Sequence, residues 1–261
     1  AIERKFKPGD RVIDLGTGTG ILAAFASRKG AEQVYAVDHS SIIEHAKMLA
    51  AENGIENVDF EDVHSTKLYL DEPVDLILHE QIGDFLFDEA MVPNVCDLRD
   101  RLLKPGGLIL PSQFEFYCEP MTMHDDRREP YIWELDNVYG FDFSSMERSR
   151  PYDAEYNGLV SCDLGVVNHF LGEAEPVIEV DLNTITESSL PLKVNFSRKV
   201  VNPGILDGLV VFMKAKVDHD LELSSSPLDP KRARHWGFRI LRLDQVNTEL
   251  GDDLEVTLRV K

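Results

Sequence analysis

Cysteine is scarce in this chain of 261 residues, and the spacing that metal and redox sites need is missing. The three cysteines, Cys96, Cys118 and Cys162, are odd in number and far apart, so the sequence predicts no metal site and no redox pair. We therefore expect a reducing compartment. Basic residues are also few, because 27 Lys and Arg stand against 47 Asp and Glu and leave a formal net charge of −20. That balance argues against a nucleic-acid partner and favours a cationic one.

Long apolar runs are absent as well. No stretch approaches the ~18 residues of a membrane-spanning helix, and no charged-then-apolar leader opens the chain. These features predict a cytoplasmic protein with no membrane partner. Because the first residue is Ala1 rather than Met, we expect that further residues precede it. The dinucleotide fingerprint also lacks its third glycine, whose place is taken by Ile21, and this disfavours NAD binding.

The chain opens instead with a strand, a glycine-rich turn and a helix, in the run RVIDLGTGTGILAAFASRKG. Val12, Ile13 and Leu15 predict a buried strand, and residues 21–26 predict an apolar helix that stops near Gly30. Between them stand Gly16, Gly18 and Gly20. Glycines at alternate positions allow a ligand to approach the backbone where a Cβ atom would collide.

An acidic residue ends the next predicted strand. Asp38 follows QVYAV, 24 residues after Asp14, and precedes a helix in which Ser41 and Glu44 have the spacing of a capping box. An acid at this place can accept hydrogen bonds from both ribose hydroxyls of a nucleoside lying across the strand ends. The alternative is a loop aspartate beside a helix start.

Further strands divide the sequence into two halves. Strands near 58–60, in VDLILHE at 74–80 and after the KPGG turn alternate with helices, which predicts a doubly wound parallel sheet in residues 1–112. Residues 113–261 alternate apolar and polar side chains, which predicts antiparallel strands in a β-sandwich or β-barrel. Within that half, residues 124–152 are predicted to be helical, with a long decorated loop as the alternative.

Two glutamates follow the fourth strand. Glu80 and Glu89 stand nine positions apart, which is neither a helical nor a strand repeat. If residues 82–87 fold back as a loop, both carboxylates can converge on a planar cation such as a guanidinium. In so acidic a chain, the alternative is two solvated surface acids. Near the end, His235 can orient a glutamate and Trp236 can wall a cation, although such a pair also suits barrel packing.

Taken together, these segments resemble known enzymes. The glycine turn, the acid after the second strand and the KPGG turn resemble the class I S-adenosylmethionine-dependent methyltransferases. With the two glutamates, the run NVYGFDFSSM at 137–146, and Ser226-Pro227 leading to His235-Trp236, the chain resembles the protein arginine methyltransferases. Gln81 and Ile82 stand where many members have Trp and Met, so the wall of the pocket differs.

The resemblance implies a fold, a reaction and a set of residues. The fold is a Rossmann-like doubly wound sheet followed by an antiparallel β-barrel with a helical dimerisation arm at about 124–152. The reaction is N-methylation of arginine in a basic protein or peptide by S-adenosylmethionine, with S-adenosylhomocysteine as product, in a homodimer. The implied catalytic residues are Glu80, Glu89 and His235; those facing the substrate are Met91 and Trp236; and those holding the cofactor are Asp14, Gly16, Gly18, Gly20, Asp38, Val63 and His64. Two alternatives stay open: a methyltransferase for a small guanidino or amino metabolite, and a non-catalytic binder of basic segments.

Overall fold

The computed structural model describes residues 1–83, 88–128, 130–149, 158–161, 163–218 and 220–259. The α-helices are α1 (Ile2–Lys5), α2 (Ile21–Arg28), α3 (Ile42–Glu52) and α4 (Met91–Leu102). The strands are β1 (Arg11–Leu15), β2 (Gln33–Asp38), β3 (Val58–Asp62), β4 (Val74–His79), β5 (Leu103–Leu110), β6 (Gln113–Met123), β7 (Gly158–Ser161), β8 (Val167–Phe170), β9 (Ile178–Asp181), β10 (Lys193–Lys199), β11 (Ile205–Asp218), β12 (Leu221–Ser224), β13 (Phe238–Asn247) and β14 (Asp253–Arg259). Residues 84–87 of the predicted loop, residues 129 and 150–152 of the predicted arm, and Cys162 lie outside the described residues.

The chain forms two compact units. The first consists of Ala1–Glu115 together with Glu179–Pro191 and Lys214–Leu223. The second consists of Phe116–Ile178, Leu192–Met213 and Ser224–Lys261. The predicted site residues are divided between them: His235 and Trp236 belong to the second unit, and all the others belong to the first.

The first unit contains a five-stranded sheet in the order β3-β2-β1-β4-β5, and every neighbouring pair is parallel. The predicted doubly wound sheet is therefore confirmed. Adjacent residues Val12 and Ile13 are both fully buried, as expected when helices cover the two faces of a parallel strand. The strand order reverses between β1 and β4, so the loops after these two strands diverge and leave a crevice, the usual place for a ligand in such sheets.

Helix α2 covers one face of this sheet. Two small residues of the helix, Ala23 and Ala26, pack against apolar strand residues on that face of the sheet: Val12, Val34 and Leu76. Small side chains on the helix allow it to lie close to the sheet. This packing places the first turn of α2 beside the carboxyl end of β1.

The second half of the chain is antiparallel, as predicted. Its main sheet follows the order β7-β13-β11-β6-β8, with β12 pairing β11 and β9 pairing β6. Strands β10 and β14 form a separate antiparallel pair. No closed barrel is recorded among the described strands, although the fold class as a whole is confirmed. In the second unit, Glu119 on β6 is fully buried and receives two hydrogen bonds, of 2.7 and 2.8 Å, from the guanidinium of Arg198 on β10.

The predicted helical arm contains short 3₁₀ helices rather than α-helices in its described residues. These are Asp125–Arg127, Ile132–Glu134 and Ser144–Ser149. Turn chemistry explains the difference: the N–H of Gly140 donates to the side chain of Asn137 at 2.6 Å, and Tyr139 and Gly140 both have positive φ angles. Residues in that backbone region end a right-handed helix.

Candidate functional site

The glycine turn is organised around Asp14, the fourth residue of β1. Its side chain is 1% exposed, and its Oδ2 atom accepts hydrogen bonds from the Thr17 hydroxyl at 2.6 Å and the Ala23 N–H at 2.9 Å. One carboxylate oxygen thus fixes both the turn and the first turn of α2. Gly16, Gly18 and Gly20 have φ angles of 69°, 54° and 83°, which only glycine adopts without strain.

The other oxygen of Asp14 has a different environment. Oδ1 is buried and has no hydrogen-bond partner among the described residues. Burial raises the pKa of Asp14 to about 6, and the hydrogen bonds from Thr17 and Ala23 oppose this rise only in part. A buried carboxylate with one unpartnered oxygen is a favourable site for a cationic or hydrogen-bonding group.

Asp38 ends β2 beside the same turn. Its Oδ2 accepts the N–H of Gly18 at 3.0 Å, while Oδ1 accepts both the N–H and the hydroxyl of Ser40, at 2.9 and 2.7 Å. Burial opposes ionisation, but the hydrogen bonds from Ser40 and Gly18 outweigh it and hold the pKa of Asp38 below its usual value. A carboxylate has about four acceptor positions, so these bonds leave one for a hydroxyl of a ligand.

A small pocket lies where β1, β2, β3 and β4 end. Its free volume is about 20 Å³, roughly the room of one water molecule. Four of the predicted cofactor residues meet here: Gly16, Asp38, Val63 and His64. The remaining lining residues are Leu15, Val37, His39, Ser65, Gln81 and Asn94. The structure therefore brings most of the predicted cofactor residues together.

Gly20 lies elsewhere. It precedes α2 and lines a hollow between α2 and α3 rather than the pocket at the strand ends. A Cβ atom at Gly20 would stand 3.5 Å from the side chains of Ala46 and Phe60, which is ordinary contact. Its positive φ angle shapes the turn, and its role towards the cofactor stays a prediction.

His64 and His39 form one wall of the pocket. Their ring centroids are 5.3 Å apart, with the planes tilted by 51°. The Nδ1 atom of His64 accepts the backbone N–H of Thr66 at 3.4 Å, so the side chain caps the 3₁₀ helix Ser65–Lys67, and it also lies 2.9 Å from the Thr66 hydroxyl. These contacts fix the orientation of the ring. A histidine at this position offers a flat surface and a ring nitrogen to a planar ligand.

Two pocket residues, Gln81 and Asn94, were not among the predicted ones. Gln81 follows Glu80 after β4, and its Cγ atom would be 2.6 Å from a Cβ atom at Gly16. Gln81 therefore lies directly on the glycine turn. Asn94, on α4, is 8% exposed, and its Nδ2 is 3.5 Å from Oε1 of Gln81. The sequence showed only that position 81 has Gln where many similar enzymes have Trp. It could not show that Gln81 and Asn94 line this pocket, because that depends on tertiary packing.

The two predicted clamp glutamates lie at opposite ends of the loop after β4. Glu80 directly follows β4, whose last residue pairs with Leu15 of β1, and its side chain is exposed. Glu89 is exposed too and has a left-handed backbone, with φ 58° and ψ 14°. The neighbouring Ala90 shares that region at φ 53°, and α4 begins with the fully buried Met91.

His79 is the last residue of β4 and directly precedes Glu80. It is 2% exposed, and its Nε2 donates to the carbonyl of Pro111 at 2.7 Å, while Nδ1 is buried and has no partner in the part of the chain that the structure describes. Burial lowers the pKa of His79 to about 4, against the smaller effect of the Pro111 bond. The ring is therefore neutral at pH 7 and anchors the end of β4.

His235 and Trp236 lie on a loop of the second unit. His235 is exposed, and Trp236 is 7% exposed. The guanidinium of Arg232 donates to the carbonyl of Trp236 at 2.7 Å and lies 5.7 Å from the ring centroid of Phe238. Arg232 therefore holds the loop that presents His235. The sequence showed this arginine only as part of a basic stretch.

Among the described residues, no group of three or more His, Cys, Asp or Glu side chains is arranged to hold a metal ion. Within the same residues, no helix is long and apolar enough to cross a bilayer.

Comparison with known proteins decides the family. Residues 116–261 match the family described as the arginine methyltransferase oligomerization subdomain, and residues 1–112 match the ribosomal protein L11 methyltransferase family. Protein arginine N-methyltransferase 1 of Saccharomyces cerevisiae is 34% identical over 94% of this chain and 70% of its own length. The chain belongs to the protein arginine methyltransferase family.

Solved structures of other protein arginine methyltransferases have the same fold. The PRMT1 enzyme-prozyme heterotetrameric complex of Trypanosoma brucei with AdoHcy superposes with a TM-score of 0.81 at 27% identity, covering 97% of this chain and 78% of that one. Protein arginine methyltransferase 10 of Arabidopsis thaliana gives a TM-score of 0.79 at 26% identity, covering 97% and 79%. Protein arginine N-methyltransferase 6 of Xenopus tropicalis is 32% identical over 95% of this chain and 74% of its own length. The predicted family and fold are thus confirmed.

Proposed function

We propose that this protein transfers a methyl group from S-adenosylmethionine to a guanidinium nitrogen of arginine in a basic protein or peptide. The observation that carries the proposal is the meeting of the glycine turn, Asp38 and Glu80 at the carboxyl ends of adjacent parallel strands. Membership of the protein arginine methyltransferase family supports the same reaction. S-adenosylhomocysteine is the product that remains.

The residues at the strand ends fit this cofactor. The unpartnered Oδ1 of Asp14 suits the ammonium of the cofactor's amino-acid end, which Gly16, Gly18 and Gly20 would help to hold. No described residue lies within 4 Å of a Cβ atom built on Gly18, so a ligand has access to the backbone there. The remaining acceptor position of Asp38 suits a ribose hydroxyl, and Val63 with His64 suits the adenine.

The substrate explains the two glutamates. An arginine guanidinium stays protonated at neutral pH, with a pKa above ~12, and is a poor nucleophile. Full deprotonation at pH 7 would cost at least ~7 kcal/mol, taking about 1.4 kcal/mol per pH unit. The cofactor supplies an electrophilic methyl on a sulfonium. An enzyme therefore needs to orient one guanidinium nitrogen and to stabilise the cation while its proton leaves.

We assign these tasks to the predicted residues. Glu80 and Glu89 hold the guanidinium and concentrate electron density on the attacking nitrogen. His235 positions or shares a proton with Glu89, and Trp236 lines the substrate channel. Met91 crowds the reacting nitrogens, which favours mono- or asymmetric dimethylation over the symmetric product.

Exposed apolar side chains support association of two copies. On α2 and α3, Ile21, Phe25 and Met48 are 54%, 47% and 61% exposed, beside a hollow between the two helices. In the predicted arm, Tyr139 and Phe141 are 97% and 68% exposed. Patches of this kind mark interaction surfaces. We propose a homodimer in which the arm of one copy covers α2 and α3 of the other. The cytoplasmic location stays a prediction.

Mass spectrometry tests the proposed reaction. Arginine-rich peptides incubated with the protein and methyl-labelled S-adenosylmethionine should gain one or more labelled methyl groups on arginine, each replacing a hydrogen of the guanidinium. Matched peptides with lysine at every arginine should stay unmodified. Label on free arginine analogues alone would instead identify a metabolite methyltransferase. Tight peptide binding without label would identify a binding module.

A further inference from the structure

The first clamp glutamate, Glu80, lies just beyond the backbone pairing of β4 with β5. The last recorded pair of these strands joins Leu78 to Leu110, so the pairing ends two residues before Glu80. The residue after Leu110 is Pro111, whose nitrogen carries no hydrogen and cannot donate a further ladder bond. Another group must therefore hold the end of β4 against the chain that leaves β5.

The side chain of His79 does this. Its Nε2 donates to the carbonyl of Pro111 at 2.7 Å, which is at the short end of the range for such a bond. The imidazole also lies near the ring of Phe114 on β6, with 6.1 Å between the ring centroids, and both side chains are buried. These residues and Glu80 all belong to the first unit. His79 thus fastens the end of β4 to the segment that joins β5 to β6.

Stability alone does not explain a histidine at this place. Its side chain is 2% exposed, and the buried Nδ1 has no partner among the described residues. A buried polar atom without a partner destabilises the fold, because water bonds to it in the unfolded chain. An apolar side chain of similar size would avoid that cost. Residues that break a packing rule in this way are expected at functional sites, and the bond from Nε2 is what this histidine contributes.

We infer that His79 is a positioning residue for the reaction: its bond to Pro111 fixes the end of β4 and thereby the carboxylate of Glu80 that receives the substrate guanidinium. The inference rests on the proposed function, because it takes Glu80 as one of the two clamp residues. The side chain of His79 is buried and that of Glu80 is exposed, so the imidazole acts through the backbone and does not touch the substrate. A small displacement of the carboxylate should slow the reaction strongly, because orientation accounts for much of the rate.

Three variants separate the hydrogen bond from the bulk of the side chain. In His79→Gln the amide nitrogen is as many bonds from Cα as Nε2 is, so it can still donate to Pro111. His79→Leu has similar bulk and no donor, and the shorter amide of His79→Asn falls short of Pro111. In single-turnover methylation of an arginine-rich peptide at saturating S-adenosylmethionine, the rate should fall at least about tenfold in the Leu and Asn variants and stay within about threefold in the Gln variant. Calorimetry should show S-adenosylhomocysteine binding within about twofold of normal in all three.

A double-variant cycle tests whether the effect passes through Glu80. Glu80→Gln alone should slow methyl transfer strongly. If His79 acts by placing Glu80, adding His79→Leu to Glu80→Gln should slow the reaction by less than about twofold more. A further tenfold loss in the double variant would overturn the inference, because His79 would then act by another route.

The matched control is Val34→Ala, at a fully buried residue near the amino end of β2 in the same sheet. It should lower the stability to urea and leave the methyl-transfer rate unchanged.

Several outcomes would overturn the inference while the proposed function stands. A normal rate in His79→Leu and His79→Asn would show that the bond to Pro111 does not serve the reaction. Equal losses in all three variants would show that the imidazole matters and the bond does not. Loss of S-adenosylhomocysteine binding in both variants that lack the bond would make His79 a requirement of the fold. If the unaltered protein labelled no arginine peptide, the proposed function would fail and the inference with it.

Discussion

His79 and Asp14 show how burial sets the charge of single residues near the site. Both side chains are almost completely buried, and each keeps one polar atom without a partner among the described residues. Burial lowers the pKa of His79 to about 4 and raises that of Asp14 to about 6. Each residue is therefore held towards its neutral form, which costs less in an apolar environment than a charge does.

These two shifts make opposite contributions to stability. The unfolded chain protonates His79 near pH 6.5 and the folded chain near pH 4, so its contribution to stability is lost as the pH falls between those values. Asp14 has a folded pKa above its unfolded value of 3.8, so its contribution is lost as the pH rises towards 6. Each pKa shift changes the free energy of unfolding by about 3 kcal/mol. Because the two changes have opposite signs between about pH 4 and pH 6, they largely cancel in the unaltered protein.

The variant His79→Gln removes the contribution of His79 to this pH dependence. Urea denaturation without ligand should show that, between pH 6.5 and pH 4, the free energy of unfolding of the variant gains about 3 kcal/mol relative to that of the unaltered protein. Above pH 7 the difference between the two should be constant. A constant difference across the whole range would show that His79 titrates normally in the folded protein.

At the scale of elements, the junction between Glu89 and α4 has a strained backbone. Glu89 and Ala90 both have φ angles above 50°, and Ala90 makes no side-chain cap for the helix. The left-handed region costs a non-glycine residue about 1–2 kcal/mol. Such strain is common where a functional side chain must be aimed in one direction. We expect it to fix the orientation of Glu89.

Replacing Ala90 by glycine should separate stability from activity. Glycine relieves the strain but loses more entropy on folding, so Ala90→Gly should raise the free energy of unfolding by about 0.5–1 kcal/mol. Because Glu89 is then held less firmly, kcat should fall about tenfold. The control is Ala51→Gly on the exposed face of α3, which should lose about 0.5–1 kcal/mol and leave kcat unchanged. An Ala90→Gly enzyme with full kcat would show that the strain does not serve Glu89.

The elements also show what the sequence can and cannot predict. Strand β1, helix α2 and strand β4 were predictable because buried parallel strands are continuously apolar and glycines mark the turn. The capping box of Ser41 and Glu44 was predicted from spacing alone and is wrong, since Ser41 makes no side-chain cap and Glu44 bonds Lys47 at 2.7 Å. Gln81 and Asn94 could not be found this way, because α4 and the loop after β4 meet only in the tertiary structure.

At the scale of the whole molecule, the net charge of −20 and the exposed apolar side chains influence which partners the protein binds. The negative surface should attract basic substrates and speed their encounter at low salt. The exposed apolar side chains of α2 and α3 are unfavourable in water, and the proposed dimer would cover them. The family assignment rested on sequence features spread over both halves, since no single motif distinguished this chain from other methyltransferases.

The proposed dimer makes Phe25 a test position. Phe25 is 47% exposed on α2, and Phe25→Glu should raise the dissociation constant of the dimer roughly 100-fold, as expected for a central apolar contact. Sedimentation velocity measures this directly. Tyr69→Glu, at a residue that is 80% exposed before β4, is the control and should leave the dimer intact. A Phe25→Glu protein that stays dimeric would exclude this surface.

The central claim is that Glu89 acts on the substrate arginine and not on the cofactor. The most direct measurement compares Glu89→Gln with the unaltered protein in single-turnover methylation of an arginine-rich peptide and in calorimetry with S-adenosylhomocysteine. We predict that the variant binds S-adenosylhomocysteine within about twofold of normal while its methyl-transfer rate falls at least about 100-fold, as expected when a charge that stabilises the transition state is removed. An unchanged transfer rate, or a loss explained by weaker cofactor binding, would contradict the account.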